Sequence, residues 1–308
     1  LPFSIISGQV DFALFLLEQG ADPNGALGGM RALHTAAGTS GLWLADWYRQ
    51  HGQGGTFASM NASFLPPAQR LRLVKALIAR GADPNARTTS SGMQMFYIGY
   101  PKKGAFEPFA CGTGDLVGAT PLWVAANAAS ANQLQLEQEY AVGGTQGYGE
   151  VLKALVDGGA DVSVPTVDGT TPLMAAAGLG GATFTPGRQR GFRVVGAEEA
   201  VKVLVEAGAD VNAVNEADFT ALHGAAMRGL NEVIEYLVQH GANINVRDFR
   251  GRTPFRLAEG AKQSFQFQAF PETAALLQKL GADTTLGIPG TVQERLRDVV
   301  AEGNAGQP

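Results

Sequence analysis

The chain has 308 residues, roughly two domains' worth by length, and its 45% hydrophobic and 17% charged residues are the balance of an ordinary folded protein. A single cysteine, Cys111, excludes an internal disulfide framework and a cysteine-rich zinc module. The net charge of -5 gives no general attraction to nucleic acid or to an anionic membrane, and no apolar run reaches the ~18 residues that cross a bilayer.

The 41 glycines are periodic. Along the chain a short phrase recurs as Gly20-Ala21-Asp22, Gly81-Ala82-Asp83, Gly159-Ala160-Asp161, Gly208-Ala209-Asp210, Gly241-Ala242-Asn243 and Gly281-Ala282-Asp283. Apolar pairs stand four and three residues before most of these glycines: Leu16/Leu17, Leu77/Ile78, Leu155/Val156, Leu204/Val205 and Leu237/Val238. The pattern predicts amphipathic helices, each closed by a glycine in the left-handed conformation past its C-terminus. A second phrase precedes each of these helices. It reads Thr120-Pro121-Leu122-Trp123, Thr171-Pro172-Leu173-Met174, Thr220-Ala221-Leu222-His223 and Thr253-Pro254-Phe255-Arg256, with a looser copy at Arg31-Ala32-Leu33-His34. Threonine there caps a helix and proline fits its first position, so each phrase opens another helix. Leu1 aligns with Leu222 and Gly8 with Gly229, which places the start of the chain inside such a helix and its capping Thr-Pro before residue 1. At the other end Thr291-Val292-Gln293-Glu294 has capping-box spacing and opens a helix with Leu296, Val299 and Val300 on one face, followed by an unstructured tail from Gly303 to Pro308.

These paired phrases, in register over almost the whole chain, resemble the ankyrin repeat family. The resemblance implies an all-α fold: a solenoid of stacked antiparallel helix pairs joined by β-hairpin-like loops. Thr220 to Gly241 is 21 positions and Gly241 to Thr253 is 12, the 33-residue ankyrin period. Against that ruler the turns between first and second helices carry excesses of 29, 18, 16 and 7 residues, and one hairpin is longer by 27. The expected organisation is a single solenoid over 1–308. It has a truncated first repeat at 1–24, a repeat at 25–86 with an insert at 38–66, and a repeat at 87–164 with a long finger at 88–117 and an insert at 127–148. A repeat at 165–213 with an insert at 178–197, a regular repeat at 214–246, a repeat at 247–286 with a short insert at 261–270, and a C-terminal cap and tail at 287–308 complete it.

Ankyrin scaffolds bind proteins through their hairpin tips and the concave face lined by first helices, so the resemblance implies a protein partner and a non-catalytic scaffold, as a module or subunit of something larger. No cofactor, nucleic acid or direct membrane insertion is expected. The tips read Val167-Asp168-Gly169, Asn215-Glu216-Ala217-Asp218 and a basic Arg247-Asp248-Phe249-Arg250-Gly251-Arg252, with Arg256 close behind. Phe249, Arg250 and Arg252 are therefore candidate contacts, while the family pattern makes Asp168 and Asp248 structural ligands of the turn backbone. The finger contributes Met95, Phe96, Tyr97, Tyr100, Phe106 and Phe109, a mixture that suits an interface and equally a loop folded over the seam between repeats. Arg188, Arg190 and Arg193 form a basic stretch in the third insert, read either as a partner or anion contact or as a solvated loop. Aromatics in the inserts, among them Trp43, Trp47, Tyr48, Tyr140, Phe184 and Phe265, either anchor each loop on its own repeat or rim a pocket for a small molecule or glycan, the rival reading.

Catalytic patterns are weak. His34 and His223 fall on the family's Leu-His position, where the imidazole ties neighbouring loops together; His240 sits at a helix end and His51 in an insert, with no metal-ligand spacing among them. Cys111 has no histidine nearby in sequence, and the glycine clusters at 143–147 and 178–181 lack the lysine of a phosphate loop.

Overall fold

A computed structural model describes residues 1–51, 65–90, 116–130, 146–180, 193–263 and 266–287. The finger residues 91–115, most of the inserts and the segment from 288 onward lie outside the described residues. Among the described residues the chain forms α1 (Pro2–Ile6), α2 (Val10–Glu18), a two-stranded β1 (Ala26–Leu27) and β2 (Met30–Arg31), α3 (Ala32–Ala37), α4 (Gly41–Gln50) and α5 (Pro67–Ala79). There follow α6 (Pro121–Ala129), α7 (Tyr148–Asp157), α8 (Pro172–Ala176), α9 (Val195–Glu206), α10 (Ala221–Arg228), α11 (Asn231–Gln239), α12 (Pro254–Glu259), the hairpin β3 (Ala261–Gln263) and β4 (Gln266–Gln268), and α13 (Pro271–Lys279). The architecture is an all-α repeat, with strands confined to two short antiparallel hairpins among the described residues.

The helices pair as α1/α2, α3/α5, α6/α7, α8/α9, α10/α11 and α12/α13, and each first or second helix packs on its counterpart in the next pair. α4 is additional to this scheme and lies within the first insert; the hairpin β3–β4 occupies the last one.

Local chemistry sets the ends of these helices. The hydroxyls of Thr120, Thr171, Thr220 and Thr253 accept from the amides three residues on, at 3.2, 3.3, 3.4 and 3.3 Å. At the opposite end Gly20, Gly81, Gly159, Gly208, Gly241 and Gly281 all have φ between 85° and 101°. The amide of the alanine after each glycine returns to the carbonyl five residues back, as in Ala242 N–H to Leu237 O at 3.0 Å, which satisfies a carbonyl the helix would otherwise leave open. Only a residue without Cβ takes that backbone cheaply, so the glycine periodicity is a list of helix ends.

A ladder of asparagines links consecutive pairs behind these glycines. Asn24 donates to Gly81 O at 3.0 Å and accepts from Asp83 N–H at 2.9 Å; Asn85 does the same with Gly159 (2.9 Å) and Asp161 (2.8 Å), and Asn212 with Gly241 (2.9 Å) and Asn243 (2.8 Å). Asn245 accepts from Asp283 N–H at 2.9 Å. Ser163 stands where the third rung would start, and its hydroxyl turns back to Asp161 at 2.7 Å.

Candidate functional site

The first helices and the hairpins they support are where the ankyrin resemblance places the expected partner contacts. His34 and His223 hold these hairpins together. The amide of Arg31 donates to His34 Nδ1 (3.1 Å) and that of Thr220 to His223 Nδ1 (3.1 Å), so in both rings the hydrogen is on Nε2. Nε2–H of His34 points at Ala86 O (3.0 Å) and Ala119 O (3.1 Å), and that of His223 at Arg252 O (3.2 Å). Burial lowers both imidazoles to about 4, which keeps them neutral and occupied as structural ties. Trp123 takes the histidine position in its own repeat, and its indole N–H reaches Thr170 O at 3.0 Å, the equivalent carbonyl of the following hairpin. Sequence reasoning passed over that role, although an indole N–H is a donor in the same direction as a protonated Nε2.

Four of the six described first helices are closed to solvent: every residue of α3, α6, α8 and α10 is buried. For the first repeats the described covering element is α4. Its Trp43 is buried, donates its indole N–H to Leu116 O (3.2 Å) and meets Trp123 edge to face at 5.9 Å between ring centres. Leu44 is also buried, and the left-handed Gly28 in the first hairpin leaves room for Leu44 and Trp47, where a Cβ would come within 2.7 Å of the former. Trp47 packs beside Phe3, Tyr48 and His51. Trp43 therefore anchors its insert, the first of the two roles open to these aromatics.

The roots of the inserts and of the finger are fixed by buried polar groups. Arg70, on α5, is 2% exposed; its guanidinium donates to Leu65 O (3.0 Å), Thr35 O (3.2 Å), Ala36 O (3.1 Å) and Gly38 O (2.7 Å). It thus ties both ends of the first insert to the C-terminus of α3, where its charge also meets the negative end of the helix dipole. Arg228 reaches Gly178 O (3.5 Å), at the start of the third insert, and Ser130 O (3.2 Å), in the first residues of the second. The carboxylate of Glu199 accepts from the amides of Gly147 (2.9 Å) and Gly149 (3.2 Å) at the start of α7. Where the expected finger begins and ends, Thr88 N–H donates to Ala119 O (3.0 Å), Gly118 N–H to Thr88 O (2.9 Å) and Ala119 N–H to Thr88 Oγ1 (3.1 Å).

The candidate residues fall in different places. Met95, Phe96, Tyr97, Tyr100, Phe106, Phe109, Arg188 and Arg190 lie outside the described residues, as does Cys111. Arg193 is exposed and carries Glu198 in a two-pronged pair, Nε to Oε1 and Nη2 to Oε2 at 2.6 Å each, with Glu232 at 3.8 Å. That carboxylate raises the guanidinium further above its ordinary value and occupies the face an incoming anion would need. Phe249 is half-buried, its ring edge-on to Phe219 at 6.4 Å and under the Arg250 guanidinium at 5.2 Å. Arg252 departs from the sequence expectation of a tip contact: it is 2% exposed, and its Nε donates to Asp248 Oδ2 at 2.8 Å. The cause is the turn itself, because Asp248 Oδ1 accepts from the amides of Arg250 (2.9 Å) and Arg252 (2.8 Å) and so brings the two side chains together. Arg256 is likewise engaged, with Thr284 O (2.8 Å), Leu286 O (3.2 Å) and Glu259 (2.7 Å). Of the basic cluster, Arg247 is exposed and Arg250 half-buried. Asp168 binds its own turn as the family pattern implies, accepting from Thr170 N–H (3.1 Å) and from the Thr166 and Thr170 hydroxyls at 2.5 and 3.0 Å. Asn215 does this work in the next hairpin, through Ala217 N–H (3.0 Å) and Phe219 N–H (3.1 Å).

Stacked helix pairs with sideways hairpins, tied by a first-helix donor to the next loop, define the class of repeat solenoids to which this chain belongs. Family models agree: that for "Ankyrin repeats (many copies)" matches residues 204–258 and that for "Ankyrin repeat" matches 168–216. The chain is a member of the ankyrin repeat family. Among its relatives are Ankyrin repeat and SOCS box protein 16 of Mus musculus, 36% identical over 40% of this chain and 25% of the relative, and its Homo sapiens counterpart, 26% identical over 85% and 48%. Alpha-latroinsectotoxin-Lt1a of Latrodectus tredecimguttatus is 36% identical over 39% of this chain and 7% of its own length. The matches thus span a quarter of the mouse protein, less than half of the human one and a small fraction of the toxin. Ankyrin repeats are protein-interaction modules, and no helix among the described residues is long and apolar enough to cross a membrane.

Proposed function

We propose that the chain is a non-catalytic scaffold, a module or subunit of a larger assembly, that captures a protein partner through its hairpin tips, its inserts and its long finger. The observation that carries this reading is the burial of every residue of α3, α6, α8 and α10 together with the fixed insert roots at Arg70, Arg228 and Thr88. With the surfaces of α3, α6, α8 and α10 closed, the groups left to meet a partner are those of the hairpin tips and of the inserts and finger whose roots are fixed. Exposed Val167 and Val214 near neighbouring tips, with Arg247 on the next hairpin, supply apolar and cationic contact on the described part of that edge. The two buried histidines are spent as backbone ties, which removes them as acid or base candidates. The finger residues Met95, Phe96, Tyr97, Tyr100, Phe106 and Phe109 and the basic Arg188 and Arg190 complete the proposed contact surface.

The test uses the chain as bait in extract from its source, alongside a variant lacking residues 93–109. Loss of partner capture with an unchanged helical melt supports the reading. Full capture by the shortened chain rejects the finger's part in it.

A further inference from the structure

One end of the solenoid has an apolar face that the repeat geometry itself explains. The second helices α5, α7, α9, α11 and α13 each carry, eight residues before the closing glycine, a buried side chain at a position that in α13 is directed at the preceding pair. These are Leu73, Val151, Ala200, Val233 and Thr273, each no more than 1% exposed. The direction is fixed by Thr273, whose hydroxyl donates to Asn231 Oδ1 of the preceding second helix at 2.6 Å. In α2 the same position is Phe12, and it is 50% exposed. First helices repeat the pattern. The residue four past the capping position is Thr35, Val124, Ala175, Gly224 or Leu257, all buried, and a Cβ on Gly224 would lie 3.0 Å from Ala177 O and from the Leu179 side chain in the preceding pair. In α1 this position is Phe3, 59% exposed. Phe15, one turn on from Phe12, is exposed and stacks on it at 6.4 Å between ring centres.

We propose that α1 and α2 present a stacking face whose occupant is a further ankyrin-type helix pair, seated as each interior pair seats on its predecessor. An end repeat that faces water needs a polar outer side to stay soluble. Three phenylalanines stand here instead, two of them at the positions that the five other described helix pairs of this chain reserve for the inter-repeat contact. The interface is therefore continuous with the one that runs through the rest of the solenoid, and its chemistry selects a small or aliphatic helix face of the same period. This goes beyond the scaffold reading, since it concerns the end of the array and not its partner edge.

The experiment places the photoreactive p-benzoylphenylalanine at Phe12, and separately at Phe15, in the protein produced in its own cells at the full length its gene encodes. After irradiation and digestion the joined peptide is sequenced by mass spectrometry. A peptide from outside residues 1–308 that carries the Thr-Pro-Leu and Gly-Ala-Asp phrases is the expected result. A peptide from a second copy of residues 1–308, a peptide without the repeat phrases, or no joined peptide at either position overturns the proposal. A second measurement on the same full-length protein compares Phe12→Glu with wild type by hydrogen exchange. The amides of α1 and α2 should exchange at least tenfold faster in the variant, and unchanged exchange overturns the proposal as well.

Discussion

Acid should loosen this solenoid through two residues. His34 and His223 are lowered from 6.5 to about 4 in the folded chain, chiefly by burial. Well above pH 6.5 both rings are neutral in the folded and unfolded states and contribute no pH dependence. As the pH falls below 6.5 the unfolded chain takes up protons that the folded chain refuses, so stability is lost until about pH 4, where the folded rings also protonate and the loss levels off. Linkage puts the loss at about 2 kcal/mol per histidine at pH 5 and about 3 kcal/mol at pH 4. Two such sites at pH 5 remove about 4 kcal/mol, a large part of the 5–15 kcal/mol that holds a typical domain. Urea unfolding followed by circular dichroism at pH 7.5 and pH 5 measures this, with a His34→Gln/His223→Gln double variant as reference, since glutamine keeps an N–H donor and does not titrate. Wild type should lose about 4 kcal/mol more than the double variant over that interval. Equal losses would refute the reasoning, as would a His34 or His223 imidazole resonance that titrates near 6.5 in the folded protein.

Other expectations follow from single contacts. Ser163→Asn should complete the asparagine ladder toward Gly208 and Asp210 and raise stability by about 1 kcal/mol, while Asn85→Ala, which removes two bonds, should lower it by a similar amount; both are read from urea midpoints. Arg70→Met leaves four carbonyls at the end of α3 and the neck of the first insert without their donor. It should cost about 3 kcal/mol and speed amide exchange in α3 and α4 ahead of the rest of the chain. Trp123→Phe removes the donor to Thr170 O and part of the packing on Trp43, for a loss of about 1–2 kcal/mol in thermal or urea melts. Gly208→Ala should cost about 1 kcal/mol by the same melts, because its φ is 93° and no neighbour lies within 4 Å of a new Cβ, so the whole effect is backbone strain.

The repeat was legible because its signals are local. A threonine three residues before the amide it caps, and a glycine at the one left-handed position after a helix, are written in adjacent letters, and their spacing gave the pairs and the inserts. What the sequence concealed depends on contacts across the fold. Arg70 looks like an ordinary surface residue of an amphipathic helix, and its burial follows from carbonyls about 35 residues upstream. Arg252 looks like a tip cation until Asp248 folds the turn beneath it. Two features had a readable signal that was missed. Trp43, Leu44, Trp47 and Tyr48 recur at the helical spacing that α4 adopts, and Trp123 occupies the histidine slot with a donor of its own. On the site side, Asp168 and Asp248 followed the family pattern. Arg193 and Arg256, by contrast, are bound to neighbours that only the packed repeats bring near.

Hydrogen exchange of the chain alone and in complex with the partner it captures tests the central claim most directly. Protection confined to the hairpin tips near Val167, Val214 and Arg247, to the insert stretch around Arg188 and Arg190 and to the finger from Met95 to Phe109 is the predicted result. Protection confined to the outer faces of the second helices, with the tips, inserts and finger unchanged, would contradict it.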